Sequence, residues 1–328
     1  MIIPRYWSEA RLQHRDRKRQ VTVRRFGWSD ISEADAQAHA QSRVREAFDR
    51  ILAGENLARY ERRVAYNGAD GVPIREEIVD RDGETVITRN AYGALCLNTP
   101  DVLFADIDFE RPVGLRSILL AGLLVALTVA ATMQGLLHWR PVPAAIIAVF
   151  AALTFSGALA KKLDGAFIAI RGGAEQIARR RIRAFLREKP EWRLRIYRTP
   201  AGLRLLAVHR RFDPNDPQVD ACFGAWGVDA LYARMCRHQQ CFRARVSPKP
   251  WRIGMQRLRP PYSAAWRPEH AEMSSRRDWI ERYEHQARDY ASCRYVETLG
   301  EGKTDPQIEI LQRWHDELCQ AEQSLPLA

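Results

Sequence analysis

The sequence predicts an α+β protein whose main sheet is interrupted by a pair of membrane-spanning helices. Two uncharged runs, residues 117–137 and 141–160, predict the helices, because each has the length of about 20 apolar residues that crosses a bilayer. Short alternating segments on both sides of these runs predict the strands. A helical hairpin returns the chain to the side of the membrane that it left. The segments before and after it can therefore build one domain.

A helical hairpin buried in a soluble core is the alternative, and it predicts a polar face on at least one helix. Neither run has such a face. Basic flanks stay in the cytoplasm and so set the orientation. The connecting turn holds one arginine, whereas the outer flanks hold Arg111, Arg116, Lys161, Lys162 and Arg171. We expect a multi-pass protein of the bacterial inner membrane, with both termini cytoplasmic and the lipid bilayer as a partner.

The composition excludes the collagenous and disordered classes, since 46% of the 328 residues are hydrophobic and 28% are charged. The net charge is +11 and most of the basic residues are arginine, a bias that a GC-rich bacterial genome explains. Six cysteines lack the dense spacing of a disulfide framework, so we expect reduced thiols that face the cytosol. Residues 1–20 lack the apolar core of a cleavable signal peptide.

The part before the hairpin predicts an α+β module. We expect a strand at 20–26, a helix at 33–53 capped by Ser29-Asp30 or Ser32, a segment at 62–66, and a hairpin of 74–79 with 85–88 across Asp82-Gly83. The predicted organisation is an N-terminal part over 1–112, the membrane hairpin over 113–162, the rest of the sheet domain over 163–260, and a helical C-terminal region over 261–328.

The sheet itself is predicted from four segments: 102–108, 193–198, 202–208 and 242–246. Helices are expected at 167–186 and 217–239. Without the membrane hairpin the order is β-α-β-β-α-β, which is the ferredoxin-like arrangement. The charged C-terminal region is expected to pack on this domain or on a second copy of the chain, as a homo-oligomer.

Alternation along the strands predicts one apolar and one polar sheet face. Asp106, Asp108, Arg204, Arg243 and Arg245 fall on the polar face. Two carboxylates at positions i and i+2 suit a hard divalent cation, and arginines suit the phosphate of a ligand. The alternative is that these acids and arginines neutralise each other across the strands.

These segments resemble the palm-type catalytic domain of the archaeo-eukaryotic primase superfamily. VLFADID, residues 102–108, is similar to the strand on which that family holds the metals for nucleotidyl transfer with two aspartates. Residues 199–204 resemble its strand-turn-strand, with Arg204 at the position of the family's histidine. Phe212-Asp213-Pro214 with Asp220 resembles its third acidic region, and residues 242–252 its basic nucleotide-contacting segment. A membrane hairpin after the first strand departs from the family's pattern.

The resemblance implies metal-assisted nucleotidyl or phosphoryl transfer, with Mg²⁺ or Mn²⁺ as cofactor and a nucleotide or nucleic acid as partner. Asp106 and Asp108 would hold the metal, and Asp213 would complete the catalytic acids. Further residues would contact the ligand: Arg204, Arg243, Arg245, Lys249 and Trp251. GGDEF-type and class III cyclases have a similar first strand, but residues 202–204 supply none of their acids. The alternative function is a non-catalytic, membrane-anchored structural or partner-binding protein.

Three further features have weaker functional interpretations. Cys236, His238 and Cys241 lack a fourth ligand nearby, so the spacing disfavours a zinc site. His209 follows a strand and favours a solvated or hydrogen-bonded histidine over a general base. The basic stretch 178–187 favours contact with anionic lipid headgroups over a track for nucleic acid.

Overall fold

The structure is a computed structural model that describes residues 3–15, 20–61, 72–110, 113–135, 138, 140–259 and 266–328. The elements in chain order are β1 (Tyr6–Arg15), β2 (Gln20–Ser29), α1 (Glu33–Leu52), β3 (Glu77–Asp82), β4 (Thr85–Arg89), β5 (Leu95–Thr99), β6 (Phe104–Asp108), α2 (Leu115–Gly135), α3 (Pro141–Ile170), α4 (Ala174–Glu188), β7 (Leu194–Arg198), β8 (Gly202–Ala207), α5 (Pro217–Trp226), α6 (Ala230–Gln239), β9 (Phe242–Arg245), α7 (Ser274–Ala287), β10 (Arg294–Leu299) and α8 (Pro306–Cys319). The mixed α+β class predicted from the sequence is confirmed.

The chain divides into two compact units. The larger unit comprises Met1–Asp106, Lys189–Pro200 and Arg204–Ala328, and the smaller unit comprises Ile107–Glu188 with Ala201–Leu203. Segments from both sides of the apolar helices therefore belong to the larger unit.

Two helices of the smaller unit, α2 and α3, are long and apolar enough to cross a membrane. Their large apolar side chains point outwards, and Leu153 is 79% exposed. The buried residues of both helices are alanines, namely Ala121 on α2 and Ala144, Ala148 and Ala160 on α3. Small residues let two helix backbones approach closely, which is how membrane helices pack. This pattern does not fit a hairpin buried in a soluble core.

The prediction of one helix over 167–186 is wrong for its first residues. α3 continues to Ile170, and Gly172 and Gly173 then take positive φ angles of 84° and 91° before α4 begins. Two consecutive residues with positive φ end a right-handed helix, which requires negative φ at every residue. Glycine adopts positive φ without steric cost, so this break falls on Gly172 and Gly173. The basic stretch 178–187 lies on α4, with Ile182 buried.

The N-terminal part of the larger unit is a hairpin of β1 and β2 covered by α1. Val21, Val23, Ala40 and Val44 lie in their shared core. Ser32 caps α1 by accepting a hydrogen bond from the Asp35 backbone N–H at 3.1 Å. β1 was not predicted, because its charged residues were assigned to a basic segment. The expected segment 62–66 lies outside the described residues.

Two four-stranded sheets form the rest of the strand structure. One has the order β3-β4-β5-β9 with antiparallel neighbours, and β3 and β4 form the predicted hairpin. The other has the order β10-β7-β8-β6. A ferredoxin-like arrangement expects the strand over 242–246 beside β6. In the structure this strand, β9, pairs with β5: Cys96–Thr99 lie opposite residues 242–245.

The C-terminal half corrects two further predictions. The helix expected over 217–239 is two helices, α5 and α6, because Gly227 takes a left-handed conformation with φ of 77°. The charged C-terminal region contains a strand, β10, as well as helices α7 and α8. β10 pairs antiparallel with β7 and occupies the edge of that sheet.

Candidate functional site

The centre of the predicted polar face is an ion pair between Asp106 of β6 and Arg204 of β8. Nε and Nη2 of Arg204 donate to the two carboxylate oxygens of Asp106 at 2.8 and 3.0 Å. Nη1 of Arg204 donates to the carbonyl oxygen of Arg245 at 2.8 Å. The Arg204 side chain is 1% exposed and the Asp106 side chain is 38% exposed. The guanidinium is therefore buried with all three of its nitrogens bonded.

Both members of this pair are held in their charged forms. Burial opposes ionisation of Asp106, but the charge and hydrogen bonds of Arg204 outweigh it and lower the pKa of this carboxyl. Burial also opposes the charge on Arg204, but Asp106 outweighs it and raises the pKa of the guanidinium well above its usual value. The pair is consequently ionised at neutral pH.

Helix α8 covers this polar face. The ring of His315 lies 5.1 Å from the ring of Phe104, and its Nε2 lies 3.3 Å from Nη1 of Arg204. The next residue, Asp316, accepts a hydrogen bond from Nη2 of Arg195 at 2.8 Å. The face expected to receive a ligand at Arg204 is thus packed against the chain's own C-terminal helix.

The other two predicted catalytic acids lie elsewhere. Asp108 ends β6, is exposed and belongs to the smaller unit. Asp213 accepts a hydrogen bond from the Asn215 backbone at 2.8 Å within its own turn. The Phe212 backbone N–H donates to the Asp101 carbonyl at 2.8 Å, which keeps Asp213 beside the start of β6. Binding of Mg²⁺ or Mn²⁺ by Asp106 and Asp108 stays a prediction.

The predicted phosphate-binding arginines of β9 also have partners within the protein. Nη2 of Arg243 donates to both carboxylate oxygens of Glu76 at 2.9 and 2.7 Å, and its Nη1 donates to Asn98 at 3.0 Å. Both side chains of the Glu76–Arg243 pair are buried. Nη1 of Arg245 donates to the Ser247 carbonyl oxygen at 2.6 Å. Sequence reasoning missed Glu76, which precedes β3 and offered no signal beyond its charge.

Among the predicted ligand contacts, Trp251 has an exposed ring, and Lys249 lies beside it. The indole of Trp251 is 50% exposed and packs edge-on against Tyr92 at 5.2 Å. Nζ of Lys249 lies 5.5 Å from the centre of the same indole. An exposed aromatic ring beside a cation is a surface on which a base can stack.

Histidine and cysteine side chains cluster next to the Asp106–Arg204 pair. Cys293, His315 and Cys319 are buried, and their ligand atoms lie within 4.8 Å of one another. Among the described residues, these three form the one group of possible metal ligands whose donor atoms lie this close together. Cys236, His238 and Cys241 do not belong to it. A signal was present in the sequence: His315 and Cys319 are one helical turn apart in WHDELC.

His209 is packed between aromatic rings. Its ring lies 4.7 Å from that of Trp192 and 5.4 Å from that of Phe212. Burial lowers the pKa of His209 to about 4, so the ring is neutral at physiological pH. This environment agrees with a packing role better than with a solvated side chain.

Comparisons of the chain with protein-family models, curated proteins and solved structures found no match. The primase-like resemblance therefore depends on the short motifs alone.

Proposed function

We propose that this is a two-span protein of the bacterial inner membrane that anchors a non-catalytic, partner-binding domain in the cytoplasm. The Asp106–Arg204 pair carries this proposal. In a metal-dependent transferase the first-strand carboxylate needs free oxygen lone pairs for the cation. Here both oxygens of Asp106 accept hydrogen bonds from a buried guanidinium. A cation bound through the remaining lone pairs would lie beside this guanidinium, and repulsion between the two positive charges disfavours that arrangement.

The exposed apolar surfaces of α2 and α3 support the membrane anchor, since exposed leucine and phenylalanine side chains need lipid or protein around them. The distribution of basic residues supports the orientation. Lys161 and Lys162 follow the second apolar run, and α4 adds the cluster Arg179-Arg180-Arg181. Both soluble parts of the chain would then share the cytoplasmic side.

The proposal includes a ferredoxin-like relation between β6, β7, β8 and β9. The sheet order β6-β8-β7 agrees with it. The hydroxyl of Tyr232 lies 2.9 Å from the carbonyl oxygen of Phe104 on β6 and 3.0 Å from that of Arg243 on β9. One hydroxyl therefore lies between a carbonyl of β6 and a carbonyl of β9. This bridge supports β9 as the neighbour of β6.

A second candidate function is binding of a nucleotide or another phosphorylated aromatic ligand. The exposed indole of Trp251 with Lys249 beside it favours this candidate. It requires neither Asp106 nor a metal, so it is compatible with a domain that has lost, or never had, catalysis.

Isothermal titration separates these functions. The detergent-solubilised full chain is titrated with nucleoside triphosphate in the presence and absence of Mn²⁺, beside the variants Asp106→Ala and Trp251→Ala. We expect no saturable heat that depends on Mn²⁺. Metal-dependent nucleotide binding that Asp106→Ala abolishes would contradict the proposal. Metal-independent binding that Trp251→Ala abolishes would establish the second candidate.

A further inference from the structure

We propose that Cys293, His315 and Cys319 bind one zinc ion inside the larger unit. The three residues come from two elements. Cys293 immediately precedes β10, and His315 and Cys319 are on the same face of α8. The backbone N–H of Ser292 donates to the carbonyl oxygen of Cys319 at 3.0 Å, which holds the two cysteines side by side.

The spacing of the donor atoms suits a tetrahedral ion. Zn–S and Zn–N bonds of about 2.3 and 2.0 Å place neighbouring ligand atoms roughly 3.5 Å apart. Nε2 of His315 already lies 3.4 Å from Sγ of Cys319. All three donor atoms lie within 4.8 Å of one another, so small side-chain rotations bring them to bonding distance. A water or other small ligand would take the fourth position.

The histidine is oriented as a metal ligand. Its Nδ1 lies 2.9 Å from the Oδ1 atom of Asp316, which places the proton on that nitrogen and leaves Nε2 as the nitrogen with a lone pair. Nε2 lies 3.4 Å from Sγ of Cys319 and 3.3 Å from Nη1 of Arg204. Asp316 is held in turn by Arg195 at 2.8 Å. A carboxylate behind the ligating histidine is the usual outer partner in zinc sites.

The charge balance of the surroundings also permits a divalent cation. The neighbouring charged groups form two opposite pairs, Asp106 with Arg204 and Asp316 with Arg195. Zinc binding by two thiols releases two protons, one from each sulfur, so the doubly positive ion replaces two positive charges. The net charge of this buried region stays the same. Thiolate and imidazole donors favour zinc over Mg²⁺ or Mn²⁺, which prefer oxygen ligands.

Metal analysis of the detergent-solubilised full chain tests the site. After removal of loosely bound metal, we expect about one zinc ion per chain. Cys293→Ser and Cys319→Ser should each lose most of this zinc. Cys222→Ser is the matched control, because Cys222 is also buried but donates to the Val219 carbonyl on α5. It should keep the zinc content of the parent protein.

A second measurement covers variants that fail to fold. The parent protein is stripped with a chelator and titrated with Co²⁺, which should produce a thiolate-to-cobalt charge-transfer band that zinc abolishes. Asp316→Asn should lower zinc affinity about 10- to 100-fold, as loss of an outer partner does. Absence of both zinc and the cobalt band in the parent would overturn the proposal. So would a disulfide that peptide mapping of the unreduced parent assigns to Cys293 and Cys319, or equal zinc loss in the Cys222→Ser control.

Discussion

Removal of Asp106 should destabilise the larger unit by about 3 kcal/mol. The change Asp106→Ala leaves the Arg204 guanidinium, which is 1% exposed, without the two hydrogen bonds that its Nε and Nη2 atoms donate. Breaking a buried ion pair from one side costs about 3–5 kcal/mol. We expect the lower end of this range, because the Asp106 side is 38% exposed and water can reach part of the vacated space.

The assay is urea unfolding of the detergent-solubilised protein, followed by tryptophan fluorescence, to which the buried Trp192 and Trp226 contribute. The double variant Asp106→Leu with Arg204→Met removes both charges and should recover most of the loss, because no unpaired charge is left in the interior.

A surface ion pair provides the control for this measurement. Asp220 pairs with Arg237 at 3.0 Å, and both side chains are nearly half exposed. Asp220→Ala should therefore change the stability by less than about 1 kcal/mol. The reasoning is refuted if Asp106→Ala is neutral or stabilising. A Mn²⁺-dependent rise in parent stability that the variant loses would instead indicate that Asp106 repels another acid until a metal binds.

Three other measurements examine the topology, the strand packing and a buried histidine. A cysteine at Arg140, between the two apolar helices, should react with an impermeant maleimide in intact cells, and a cysteine at the exposed Ser275 should react only after permeabilisation; the reverse pattern contradicts the orientation. The six native cysteines are all buried and report nothing in this assay. Gly202→Ala should cost about 3 kcal/mol, the upper end for overpacking, because its Cβ would lie 1.9 Å from a backbone oxygen of β6. Gly224→Ala, with open space around its Cβ, is the control, and equal urea midpoints would refute the steric argument. The folded-state pKa of His209 is about 4, below its ordinary value of 6.5, so the unfolded chain binds this proton first and stability falls as pH drops between those values. His209→Phe should flatten that part of the pH profile of the urea midpoint, and an unchanged slope would show that His209 does not contribute.

Local patterns predicted the elements that local physics determines. Two apolar runs marked α2 and α3, the candidate caps Ser29-Asp30 and Ser32 marked the start of α1, and Asp82-Gly83 marked a hairpin. The breaks at Gly172-Gly173 and Gly227 were missed, because the helical spacing of apolar residues continues across them although the helical backbone conformation ends there. The pairing of β9 with β5 was not predicted, because strand pairing depends on distant segments that alternation does not encode.

Alternation also placed Asp106 and Arg204 on one sheet face, which is how the structure has them. It could not show what covers that face. His315 meets Arg204 across 111 positions of sequence, and its helix was assigned only to packing. An acidic residue on a strand looks the same whether it will meet a metal or an arginine, since both attract a carboxylate. The choice is made by tertiary neighbours such as Arg204 and α8, which local sequence does not reveal.

If α2 and α3 span a membrane, as proposed, their position within the chain links the assembly of the larger unit to insertion. β6 is synthesised before α2 and α3, and the Arg204 that binds Asp106 follows 98 positions later. If only one of the two helices crossed the bilayer, the segments before and after it would be left in different compartments and this pair could not form. Arg204 would then lack the carboxylate that compensates its charge in the folded unit. On the proposed two-span topology, the larger unit would therefore assemble only in chains that have inserted both helices.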